Sequence, residues 1–174
     1  LFFLFLLPLI YWSINRKLGI QLLLAIIFSG LFNVALKEVF ATPRPYQVSA
    51  DVRLIVDGVR YGFPSGHVMT AIVLWGYLAY VYKRTWGYLA VVIYVMLMCW
   101  SRVYAGAHYP QDVIGGVIFG SVALLIFIRL IEPFPQLWSK LAIQPRTAMI
   151  VLALIVGMVF VLQDDFGAAL LGLL

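Results

Sequence analysis

The chain has 174 residues, 64% of them hydrophobic and only 11% charged, with a net charge of +5. A soluble domain is roughly half apolar and a quarter charged, so these residues cannot cover their own surface with polar groups, which excludes an aqueous globular fold. Nucleic acid is not the expected partner, because no basic stripe interleaved with aromatics runs along a polar surface; a membrane protein's basic excess is ordinarily topological.

In chain order, Leu1 to Trp12 is apolar but too short to span. It lacks an initiating Met, a basic leading region and a small-residue cleavage site, so it reads as the end of a truncated helix and not as a signal peptide. Leu18 to Phe40, Gly66 to Tyr82, Gly87 to Trp100, Val113 to Ile131 and Ala148 to Leu162 are each nearly charge-free. All five are about the length of helix that crosses a ~30 Å hydrocarbon core, and all five are expected to span. Leu170 to Leu174 ends as abruptly, leaving room for a further helix. No repeat, low-complexity tract or linker divides the chain, so the expectation is one membrane domain over 1–174, an all-α polytopic transmembrane bundle. The single cysteine, Cys99, supports neither a disulfide framework nor a thiolate metal cluster.

The long connection from Ala41 to Phe63 holds Pro43, Pro45, Gly58, Gly62 and several charges; a loop of that length in a compact domain is usually functional. Alternating the spans puts seven basic residues on one face (Arg16, Lys17, Lys83, Arg84, Arg129, Lys140, Arg146) and five on the other (Lys37, Arg44, Arg53, Arg60, Arg102). The second face also holds six of the seven acidic residues. Three of its five cations are assigned to a site below. With them set aside, the positive-inside rule makes the first face cytoplasmic and turns the long loop outward; the expected location is a bacterial cytoplasmic membrane with the site on its outer side.

Three polar clusters fall on that outer face, each at a span end: Lys37 to Pro45, Pro64-Ser65-Gly66-His67, and Ser101 to Asp112. Both histidines of the chain lie in them. Ionisable groups near hydrocarbon are costly and usually functional or paired. Lys37, Arg44 and Arg102 come from different helix ends but can converge, and guanidinium forks grip phosphate oxygens in bidentate fashion. Preorganised cations stabilise a phosphoryl group in transfer, whose charge spreads over three oxygens. Ser65 stands at a helix start, where free backbone N–H groups and the positive dipole end favour an anion. Gly66 permits close backbone approach there, and the Ser65 hydroxyl adds a donor. No metal is needed to hold a phosphate so placed.

His108 and Asp112 stand at i, i+4, which on a helix sets the carboxylate beside the imidazole, fixing its tautomer and raising its basicity. An oriented neutral imidazole is a competent nucleophile towards phosphorus. His67, the other group that titrates near neutrality, is then the general acid for the departing oxygen.

Together the clusters resemble the type 2 phosphatidic acid phosphatase superfamily, whose signature joins a Lys…Arg-Pro segment, a Pro-Ser-Gly-His segment and a Ser-Arg…His…Asp segment. Lys37, Arg44 and Pro45 match the first, Pro64 to His67 the second, and Ser101, Arg102, His108 and Asp112 the third. The resemblance covers roughly Leu18 to Leu130, within a motif-bearing core of 18–131. It implies a phosphohistidine intermediate on His108, leaving-group protonation by His67, phosphate contacts from Lys37, Arg44, Ser65, Gly66 and Arg102, and supporting roles for Pro45, Pro64 and Ser101. It also implies a six-helix core in which the first motif ends the third helix. On that count 1–12 is the remnant of the second helix and 148–162 is an additional transmembrane helix beyond the core. The oligomeric state stays open.

Blander readings exist for each residue alone. Lys37 can snorkel to the interface, Arg44 can face headgroups, and Ser65 can be an ordinary helix cap. His108 and Asp112 can form half a metal site, but a catalytic zinc needs a third protein ligand and the neighbouring groups are cations. Asp51, Arg53, Asp57 and Arg60 read as solvated loop surface, and Tyr46, Tyr61, Tyr104 and Tyr109 as an interfacial aromatic belt. Joint occurrence favours the site. The expected activity is cofactor-free hydrolysis of a lipid phosphomonoester or pyrophosphate: polyprenyl pyrophosphate, phosphatidylglycerol phosphate or phosphatidate. The rivals are a lipid phosphotransferase, a glucose-6-phosphatase-like enzyme and, outside enzymes, an ion-coupled transporter, whose repeated broken helices are not evident.

Overall fold

The computed structural model describes Tyr11, residues 15–49 and residues 61–132. The readings placed on 1–12 apart from Tyr11, on the charged loop residues 51–60, and on the helix at 148–162 lie outside the described residues.

Among the described residues every regular element is an α-helix: α1 Arg16–Phe40, α2 Pro45–Val48, α3 Gly66–Tyr82, α4 Thr85–Tyr104 and α5 Pro110–Ile131. Three of them are long and apolar enough to cross a membrane, α1, α4 and α5. The 17-residue α3 is shorter, about 25 Å by helical rise. The protein is thus a multi-pass membrane protein, as its composition requires.

Helix α3 is the centre of the bundle and packs on α1, α4 and α5, while α1 and α4 each touch α5 less extensively. Leu22, Ala25, Val73, Leu74, Tyr77, Ala123 and Phe127 form one buried cluster where α1, α3 and α5 meet. A second, around Val68, Ala71, Ile72, Val95 and Val113, joins α3 to α4 and α5. Close packing against α5 depends on glycines. A Cβ at Gly120 would sit 3.0 Å from the Met69 backbone, and one at Gly116 would sit 3.0 Å from the Ser65 carbonyl oxygen.

Local chemistry fixes the helix ends that carry the polar clusters. The Asn15 side chain caps α1 by accepting from the Leu18 N–H at 3.1 Å. At the other end Ala41 turns left-handed (φ 45°) and its N–H donates to the Lys37 carbonyl at 2.9 Å. The residues just after α1 meet those that lead into α3. Thr42 ties the two sides together, its carbonyl accepting from the Gly62 N–H (2.8 Å) and its Oγ1 from the Phe63 N–H (3.0 Å). Pro45 opens α2 and Pro110 opens α5, each at the first helical turn, where a missing N–H costs nothing.

Candidate active site

The three clusters meet at one end of the bundle. His67, on the first turn of α3, lies within the electrostatic reach of Arg102, Lys37, Arg44 and the His108 ring. His108 in turn feels Arg44, Lys37 and Asp112. Three cations and two imidazoles separated along the chain therefore share one locality.

His108 is 3% exposed and Asp112 is 1% exposed. Nδ1 of His108 stands 3.4 Å from Oδ2 of Asp112, at the long end of hydrogen-bond range. The pairing is not made within a helix, because α5 begins at Pro110 and His108 precedes it. It arises from a cap: Asp112 Oδ2 accepts the Tyr109 N–H at 2.9 Å, and that bond carries the carboxylate back towards the ring. The turn leading into His108 needs a glycine, since Gly106 has φ 69°. With Nδ1 facing the carboxylate, Nε2 is the nitrogen left for chemistry. Burial is the largest influence on the ring and holds its pKa below the ordinary 6.5; the Asp112 bond works in the opposite sense, and the charges of Arg44 and Lys37 reinforce burial.

Ser65 is the residue before α3 and is fully buried. Its backbone N–H donates to the Asp112 carbonyl at 2.9 Å, which ties the second cluster to the third. Its hydroxyl makes no capping bond and, among the described residues, has no partner at all. The Met69 N–H donates to the Ser65 carbonyl at 3.1 Å and closes the first turn of α3; the N–H groups before it have no intrahelical acceptor. Pro64 is buried and follows a cis peptide bond. The space that Gly66 leaves by lacking a Cβ is occupied by Asn33, whose Oδ1 would lie 2.8 Å from such an atom.

Arg102 is on the last turn of α4, a position that the helix dipole favours for a cation. One Nη donates to Ser101 Oγ at 3.2 Å, while its buried Nε has no partner among the described residues. Arg44 reaches the Ala107 carbonyl through Nη1 at 3.5 Å, and its backbone N–H is held by Gln47 Oε1 at 2.8 Å. Lys37, on the last turn of α1, is half-buried. The fold thus brings Lys37, Arg44, Arg102 and His108 within electrostatic reach of His67, with Asp112 tied to His108 and Ser65 tied to Asp112. It adds four that sequence reasoning missed: Asn33, Thr42, Gln47 and Gly62, the last lying 3.1 Å from Asp112 Oδ2 if given a Cβ. Of these only Asn33 had a signal, an amide inside an apolar span one turn before Lys37.

Such an arrangement offers converging donors for a tetrahedral oxyanion and an oriented imidazole beside it. The comparisons agree in family. A family model described as the PAP2 superfamily matches residues 18–136. The chain is 28% identical over 141 residues to lipid phosphate phosphatase delta of Arabidopsis thaliana, covering 72% of this chain and 34% of that protein. It is 33% identical over 109 residues to an undecaprenyl-diphosphatase of Sulfolobus acidocaldarius, covering 62% of this chain and 52% of the relative. Among solved structures it is similar to a transmembrane PAP2-type phosphatidylglycerolphosphate phosphatase from Bacillus subtilis, with TM-score 0.62, 26% identity, and 75% and 69% of the two chains covered. The chain spans a third to a half of the length of the two curated relatives. On its motifs, its helices and the match over 18–136, the chain belongs to the PAP2 superfamily, the type 2 phosphatidic acid phosphatases.

Proposed function

We propose that this protein is a membrane lipid phosphatase that hydrolyses a phosphomonoester or pyrophosphate of a lipid through a phosphohistidine on His108, without metal. The observation that carries the reading is a pair of buried donors lacking partners among the described residues, Ser65 Oγ and Arg102 Nε, in the locality where three cations surround two imidazoles. Buried polar groups are ordinarily satisfied, and a phosphate satisfies both.

In the first step Nε2 of His108 forms a bond to phosphorus as the phosphorus–oxygen bond to the lipid breaks, and His67 gives its proton to the departing oxygen. In the second, water attacks phosphorus, the phosphorus–nitrogen bond breaks, and the water proton passes to His67, leaving inorganic phosphate. Lys37, Arg44, Arg102, Ser65 and the N–H groups at Gly66 hold the phosphoryl oxygens throughout. Asp112 orients His108; Pro45, Pro64 and Ser101 shape the loops and the Arg102 fork. The catalytic core is placed in 18–131 of a single membrane domain.

The named activities of the relatives, on undecaprenyl diphosphate and phosphatidylglycerol phosphate, support a lipid substrate of this class. Polyprenyl pyrophosphate, phosphatidylglycerol phosphate and phosphatidate are the candidates, presented at the outer face of a bacterial cytoplasmic membrane by the charge asymmetry of the loops. The test is phosphate release from vesicles bearing each lipid, with and without chelator. Release that survives chelation and disappears in His108→Asn supports the reading; no release from any lipid, or release lost only to chelator, contradicts it. Reporter fusions after Arg84 and within 51–60 check the sidedness, and a reversed pattern would overturn it.

A further inference from the structure

Beneath the site lies a buried amide that the proposed reaction does not use. Asn33 is 2% exposed on α1, one turn before Lys37. An amide in such surroundings is costly unless its polar atoms are matched. Nδ2 of Asn33 stands 3.1 Å from the Pro64 carbonyl and 3.1 Å from Met69 Sδ, so both its N–H groups are engaged. Its Oδ1 faces Gly66 so closely that a Cβ there would sit 2.8 Å away. The two bonds hold the amide in this orientation. These contacts bracket Ser65, whose buried hydroxyl is unpartnered among the described residues. One turn further from the site, Ser29 faces Thr70 at 3.4 Å across the same helix pair. That contact provides an internal control, a partly buried polar pair away from the cap.

We infer that Asn33 is a positioning residue: its amide clamps the Pro64–Gly66 cap to the Lys37 end of α1 and thereby sets where the Ser65 hydroxyl and the α3 N–H groups meet the phosphate. The inference rests on the phosphatase reading above. Full-length protein in detergent, with phosphatidate as substrate and orthovanadate as the phosphate mimic, tests it. Asn33→Leu should lower kcat at least tenfold and weaken vanadate inhibition at least tenfold, with KM for the lipid changed less than threefold. Ser29→Ala should leave all three within twofold. Wild-type kcat and vanadate inhibition in Asn33→Leu would overturn the inference, as would equal losses in Ser29→Ala. Should Asn33→Leu not fold, Asn33→Ala and Gly66→Ala supply a cycle. The alanine at 66 should weaken vanadate inhibition tenfold when Asn33 is present and less than threefold when it is already alanine. Equal effects in both backgrounds would overturn the inference. Wild-type protein that neither releases phosphate nor responds to vanadate would instead sink the phosphatase reading, and the inference with it.

Discussion

His108 and His67 share one locality and feel the same cations Lys37 and Arg44, but they differ in surface exposure and in partner. His108 is nearly inaccessible, sits in a turn before α5 and is held through Nδ1 by a buried carboxylate. His67 is exposed on the first turn of α3, with Arg102 the foremost of the charges acting on it. An oriented ring that keeps one nitrogen unprotonated suits a nucleophile. A ring open to solvent suits a proton carrier, which must exchange with water between the two half-reactions. The contrast suits the two proposed roles, although both side chains are the same.

The sharpest way to break the contrast is to remove each ring in turn. His108→Asn should lower lipid turnover by about 10³-fold or more, because the proposed covalent intermediate forms on that ring. His67→Asn should cost about 10² to 10⁴-fold on a lipid, whose alkoxide needs a proton to leave. With p-nitrophenyl phosphate, whose phenolate leaves unaided, the same variant should still give a burst of p-nitrophenol stoichiometric with protein in a stopped-flow record. A burst from His108→Asn, or none from His67→Asn, would reverse the assignment.

Next in size is the cradle between the rings. Arg102→Lys keeps the charge but loses the fork and the buried Nε, and should reduce kcat about 10² to 10³-fold. Steady-state kinetics with a lipid checks it, and turnover within twofold of wild type would remove Arg102 from the site. The smallest effect is a displacement. Neutral His108 is the reactive form, and burial lowers its pKa while Asp112 raises it. The acid limb of kcat/KM, corrected for titration of the substrate phosphate, should therefore lie below 6.5. Removing the raising influence in Asp112→Asn should carry that limb to still lower pH; a limb that rises would contradict the pairing.

Much of this was legible in the sequence, for reasons that also explain what was not. The apolar runs gave the four described long helices, but they ended at Trp100 and began again at Val113. Helices α4 and α5 reach further, to Tyr104 and back to Pro110. A cation suits the last turn of one and a proline with an acidic residue suits the first turn of the other, features that a hydropathy reading passes over. The spacing of His108 and Asp112 pointed to their contact, though a helix was the expected cause and a capping turn is the observed one. Ser65 stands at the helix start as expected, yet its hydroxyl does not cap. Asn33 stands in an apolar span and drew no reading from the sequence. Its partner is a carbonyl 31 residues away, and only the packing of α1 on α3 creates that pair.

The account turns on a covalent bond between phosphorus and Nε2 of His108. His67→Asn protein mixed with ³²P-labelled p-nitrophenyl phosphate and quenched after one turnover should carry label that survives alkali and is lost in mild acid, as a phosphoramidate does. That label should map to His108 and be missing from the His67→Asn, His108→Asn double variant. Label on another residue, label that persists in the double variant, or release of phosphate with no labelled protein at any time would contradict it.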